Sequence, residues 1–214
     1  MQQARLGGTA MIAGALMLIV TMAFHPTGHE VAADVERQGA LSLAVHSLAL
    51  LSLPIAFYGA LALTRRLSPA SALAELALVF QGMASVAGML AATASGLIAP
   101  GLIARMLTQE GAARAATDAV LEFNGSLNQA FAKILVVASS VAIGLWSVAI
   151  LRTRLLGRGS GVLGCALALV TVGFLLGGHL RLDVHGFGAV VLGQTVWLVL
   201  VGLELRRPQA AAQA

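Results

Sequence analysis

Residues 127 to 151 read LNQAFAKILVVASSVAIGLWSVAIL, a stretch with a single charge, Lys133, and with Arg152 directly after it. An α-helix rises 1.5 Å per residue, so about 20 apolar residues cross the ~30 Å of hydrocarbon in a bilayer. This stretch is long enough to do so, and it lacks the alternation of a barrel strand. Five further apolar runs, near residues 6–25, 41–64, 72–99, 161–179 and 186–205, have the same character. The expected fold is therefore all-α: a polytopic bundle of about six transmembrane helices in one domain, 1–207, followed by a disordered tail, 208–214.

Composition agrees. Hydrophobic residues make up 58% of the chain and charged ones 10%, with a mean hydropathy of +0.90. That little charge cannot cover a water-soluble surface. The net charge of +4 comes from dispersed arginines with no aromatic-rich basic face, which excludes a nucleic-acid partner and leaves the lipid bilayer as the main one. Cys165 stands alone within an apolar run, so no intramolecular disulfide forms and the thiol reads as a small buried hydrophobe.

The basic residues set an orientation. With the N-terminus inside, Arg5, Arg65, Arg66, Arg152, Arg154, Arg158, Arg206 and Arg207 fall on the inner side, all near helix ends. Arg37, Arg105, Arg114 and Arg181 fall outside. The positive-inside rule then places both termini in the cytoplasm and the protein in the plasma membrane, the inner membrane of a bacterium, with its outer face in the periplasm. The first run is expected to stay as a helix, although Thr21-Met22-Ala23 resembles a cleavage site. The long connection 100–125 mixes alanine and leucine with Arg105, Glu110, Arg114, Asp118 and Glu122, the pattern of a short amphipathic helix on the outer interface.

On this topology all five histidines lie at the outer ends of two hairpins. His25 and His29 follow the first helix, His46 lies inside the second, His179 ends the fifth and His185 opens the sixth. Val45-His46-Ser47 and Val184-His185-Gly186 each open a helix that closes on an arginine pair, an echo that suggests a pseudo-repeat. Neutral imidazole binds Cu, Zn or Fe, and Glu30 and Asp183 are placed to orient the rings. Met22 and Met89 would suit Cu(I). Haem b is the other cofactor expected, with His46 and either His179 or His185 as axial ligands and Gly173, Gly177, Gly178, Gly186 and Gly188 allowing close approach. The plainer reading of these histidines is helix capping and headgroup contact, and of the glycines, helix packing.

Asn124, Asn128, Gln129 and Lys133 add polarity at the same end, as neighbours of the site or as caps and interhelical hydrogen-bonding groups. No His-Glu-x-x-His, Gly-x-Ser-x-Gly or phosphate-binding loop is present, and the His25/His29 spacing is broken by Pro26 and Gly28, so enzyme signals are weak. A transporter would use polar groups near mid-membrane, for which Gln81, Ser139, Ser140, Gln194 and Thr195 are candidates, with Pro54 as a kink. Three readings follow. The first is an inner-membrane protein binding a transition metal or haem at its outer face, for redox chemistry, metal handling or complex assembly. The second is a small transporter or channel with a histidine-gated outer mouth. The third is an accessory subunit without cofactor, docked to a membrane partner or to its own copies.

Overall fold

The computed structural model describes residues 2–26 and 35–207. Expectations for His29, Glu30 and the 208–214 tail concern residues outside those ranges. Within them the regular elements are all helical: α1 (Gln2–Ala23), α2 (Val35–Leu67), α3 (Leu73–Ala92), α4 (Ala99–Thr108), α5 (Gly111–Thr153), α6 (Arg158–Leu176) and α7 (Val184–Arg206). A π-helical stretch, Thr93–Ile98, joins α3 to α4. Counting 73–108 as one unit, six helices are long and apolar enough to cross a membrane.

Each of these six units packs on the next, and α7 returns to pack on α1, so they close into a ring. Lipid tails are as apolar as leucine, so such helices associate by close packing of small residues rather than by hydrophobic force. The α1–α2 contact shows this. A Cβ on Gly14 would come 2.7 Å from the Ala56 nitrogen, and one on Gly59 would come 2.7 Å from the Met11 Cα. The α1–α7 contact is similar, with a Cβ on Gly202 falling 2.8 Å from the Gly8 carbonyl oxygen. The hairpins of the suggested repeat pack differently: α1 and α2 are in contact along their lengths, whereas α6 lies mainly against α5.

The main core fills the ring near the arginine-bearing helix ends. Trp146 and Trp197 are both 0% exposed and stack with ring centroids 6.3 Å apart. Each buried indole N–H has a partner, as such donors require. Trp146 donates to Thr64 Oγ1 at 3.1 Å and Trp197 to the Ser160 carbonyl at 2.9 Å. Met11, Leu63, Leu67, Ile150 and Leu205 complete the packing. The opposite, histidine-bearing end holds only a smaller cluster around Val136, Leu182 and Val190.

Two boundaries differ from the sequence expectation. The third helix does not stop at Pro100. Proline lacks an N–H and its ring collides with the carbonyl four residues earlier, but it is tolerated in the first turn of a helix. Here the register shifts just before it: Ala99 N–H bonds to Ala94 O, five residues back, and Pro100 lies in the first turn of α4. The 100–125 segment is likewise not one interfacial helix. It is divided at Gln109-Glu110, with α4 continuing the third unit and the rest forming the first turns of α5. At 43 residues α5 is longer than a bilayer requires, about 64 Å at 1.5 Å per residue.

Replacing Gly59 by Leu should force α1 from α2 and lower stability by about 1–3 kcal/mol, the usual cost of overpacking. Gly125, inside α5 with nothing within 4 Å of a Cβ, is the control; Gly125→Ala should stabilise by about 0.5–1 kcal/mol. Thermal or denaturant unfolding in detergent measures both.

Candidate functional site

The site is organised by the π-helical stretch. Such stretches place one extra residue in a turn and recur at functional positions. The Ala94 carbonyl, already bonded to Ala99 N–H, also accepts from Asn124 Nδ2 at 3.0 Å, so α5 braces the bulge. Gly96 then faces α2, and a Cβ there would overlap the Cβ and ring of His46. Only glycine lets the two helices approach this closely. Ser42, one turn before His46, links the same helices by donating its hydroxyl to the Ser95 carbonyl at 3.4 Å.

This packing leaves His46 5% exposed and holds its ring through Nδ1, 2.7 Å from the Ser42 carbonyl oxygen. A carbonyl can only accept, so Nδ1 carries the proton and Nε2 is left as the free nitrogen. His25 is held in the same way, with Nδ1 3.0 Å from the Pro26 carbonyl oxygen. The two rings meet edge to face, centroids 4.9 Å apart and planes at 67°.

Two cavities adjoin this pair. The larger, about 330 Å³, occupies the histidine half of the ring between α1, α2, α3, α5 and α7, and its wall is mostly apolar, with Leu18, Leu53, Val136, Phe187 and Leu198 among its residues. The smaller, about 170 Å³, lies beyond it and is bounded by Gln38, Ser42, Pro100 and Ile103. His25, His46 and Ser95 line both, so these three form the partition.

Polar groups gather on one wall of the large cavity. Gln194 Nε2 donates to Ser139 Oγ at 2.9 Å and to Ser140 Oγ at 3.2 Å, bridging α7 to α5. Thr195 is 1% exposed, and its hydroxyl has no hydrogen-bond partner among the described residues. An unpaired buried hydroxyl costs free energy, and this one is enclosed by its neighbours. Asn128 also lines the cavity, as does Gln129, whose Nε2 donates to the Leu182 carbonyl at 3.3 Å.

The structure divides the four histidines it describes. His179 and His185 line neither cavity: His179 belongs to the turn between α6 and α7, and His185 to the first turn of α7. After Gly177, Gly178 takes φ +71°, its N–H bonds to Leu175 O at 3.2 Å, and His179 N–H bonds to Phe174 O at 2.9 Å. That is a Schellman cap, which commonly brings the residue after the glycine onto the helix, and the His179 ring rests edge-on against Phe174. Asp183 caps the other side, its Oδ1 accepting from Gly186 N–H at 2.9 Å, with His185 between them in the first turn. That hydrogen bond holds the Asp183 carboxyl below the usual range; slight burial opposes the effect, and the Arg181 charge assists it. Asp183 also lines the cavity rim.

The other expected residues separate similarly. Gln194 lines the cavity and Gln81 does not; Lys133 is exposed and Met89 lines neither space, whereas Met22 lies on the wall. Among the described residues no group of three or more His, Cys, Asp or Glu is close enough to hold one metal ion. Sequence reasoning passed over Ser42, Ser95 and Gly96. The spacing of Ser42 and His46, one helical turn, was available as a signal; the role of Gly96 depends on a neighbour fifty residues away. No known protein family, curated protein or solved structure matches the chain, so the site stands on its own geometry.

Gly96→Ala should displace the His46 ring. Diethyl pyrocarbonate should modify His46 slowly in the parent protein and at least several-fold faster in the variant, read by peptide mass spectrometry. Asp183→Ala should lower the unfolding temperature at pH 7. Because the folded-state carboxyl lies below its unfolded value of about 3.9, its contribution is complete above that pH and is lost as pH falls through the folded value. The gap between variant and parent should therefore close only in that acid range.

Proposed function

We propose that this chain is a small multi-pass membrane carrier that admits a neutral, largely apolar solute bearing one or two hydrogen-bonding groups through a histidine-lined mouth. The observation that carries the reading is the shared lining of the two cavities by His25, His46 and Ser95. A mouth of weakly basic rings at the edge of a low-dielectric space passes neutral groups at less cost than fixed charges would. The large cavity has the volume and mainly apolar wall of a small-ligand pocket. The Gln194, Asn128 and Gln129 amides on that wall favour a polar substituent on an otherwise apolar molecule.

The histidine end is the outer side in this proposal, as the arginine distribution indicates. The stacked tryptophans close the ring on the other side, so the arrangement corresponds to a carrier open toward its outer half. Release to the cytoplasm requires that packing to rearrange. Among the described residues the cavity wall carries no charge apart from Asp183 at the rim, which disfavours ions as cargo.

The test uses linear alcohols from butanol to octanol as probes of the detergent-solubilised protein. One of them should raise the unfolding temperature saturably, as ligand binding to the folded state demands. Ala91→Leu, which fills part of the cavity wall, should abolish that gain, and Gln194→Leu should weaken affinity roughly tenfold, the equivalent of one hydrogen bond of about 1.4 kcal/mol. A shift that never saturates, or one equal in Ala91→Leu, would sink the proposal.

A further inference from the structure

We infer that His25, His46 and Met22 form a copper(I) site that closes the mouth of the cavity; the regulatory part rests on the carrier reading above, whereas the site itself does not. Metal-binding imidazoles characteristically donate the other ring N–H to a carbonyl or carboxylate, which fixes the tautomer and presents a lone pair to the metal. Both rings have this arrangement: His46 Nδ1 is held by the Ser42 carbonyl at 2.7 Å and His25 Nδ1 by the Pro26 carbonyl at 3.0 Å. Their Nε2 atoms are the free nitrogens, on rings whose centroids are 4.9 Å apart. No other pair of histidine rings among the described residues makes such a contact.

The third donor is in the last turn of α1, just before the irregular backbone that carries His25. Met22 precedes His25 by one turn, with the His25 N–H bonded to the Met22 carbonyl at 3.3 Å, and its side chain lines the cavity with both histidines. Two imidazoles and a thioether make a neutral, soft donor set, which selects copper(I) among first-row ions.

Charge decides against zinc. The cost of placing an ion in a low-dielectric space grows with the square of its charge, so a divalent ion needs an anionic ligand there. Among the described residues, no carboxylate joins His25 and His46 in a group able to hold one metal. A monovalent ion is the one this donor set accommodates. Because His25 and His46 also form the partition between the two cavities, an ion joining their Nε2 atoms would tie α1 to α2 across the mouth and block passage.

The experiment is anaerobic titration of the purified full chain with copper(I), in competition with a chromophoric copper(I) chelator. One ion per chain is expected, with affinity at least tenfold lower in His25→Gln and in His46→Gln and unchanged in a His179→Gln/His185→Gln double variant. X-ray absorption should show two nitrogen neighbours and one sulfur, the sulfur disappearing in Met22→Leu. Wild-type affinity in His25→Gln, a position less enclosed than His46 and so less exposed to folding failure, would overturn the site. Loss of binding only in the double variant, or sulfur retained in Met22→Leu, would overturn it equally. Alcohol-induced stabilisation measured on the same samples separates the two ideas: if it persists without copper binding, the cavity stands and the metal site falls. If copper binds without closing the cavity to alcohol, the regulatory role fails while the site remains.

Discussion

The contact between Trp146 and Trp197 ties together four of the six spans. Its two rings come from α5 and α7, and their N–H groups reach Thr64 on α2 and Ser160 on α6. Large flat rings fill the centre of a six-membered ring of helices that smaller side chains could not fill. Because this filling lies toward the arginine-bearing ends, the centre at the other end remains open. The cavity is thus a consequence of where the bulky residues are, and His25 and His46 border a space because nothing bulky fills it.

The backbone is under a second constraint. Where apolar side chains surround a helix, every N–H and C=O must be satisfied within the protein. The π-helical stretch satisfies this while adding a residue to the turn, and the Asn124 amide takes up the remaining capacity of the Ala94 carbonyl. The same irregularity brings Gly96 onto His46. A local solution to a hydrogen-bonding problem thereby fixes the position of the ring that borders both cavities.

The six spans were legible because hydropathy over twenty residues outweighs local detail, as the run from Leu127 to Leu151 shows. The expected end of the third run at residue 99 did not hold because the proline that follows stops a helix only where its missing N–H is needed, and the register shift that removes that need has no sequence signature. The histidines could be gathered at one end by topology alone. Their division could not be read in the same way: His179 and His185 serve a glycine turn and a helix start, while His25 and His46 face inward. Helix rotation decides that, and with six helices of low amphipathicity no stripe announces which face turns inward. Gln194 and Gln81 looked equivalent for the same reason, and only Gln194 reaches the cavity.

The contact between Gly8 and Gly202 joins the first span to the sixth. Until these two helices meet, the small-residue face of α1 and the cavity wall that α7 supplies are both uncovered. Sealing this seam is what turns a row of helices into a closed ring. A lesion at Gly202 would accordingly leave each helix intact and the ring open, a fault of assembly with little trace in any single helix.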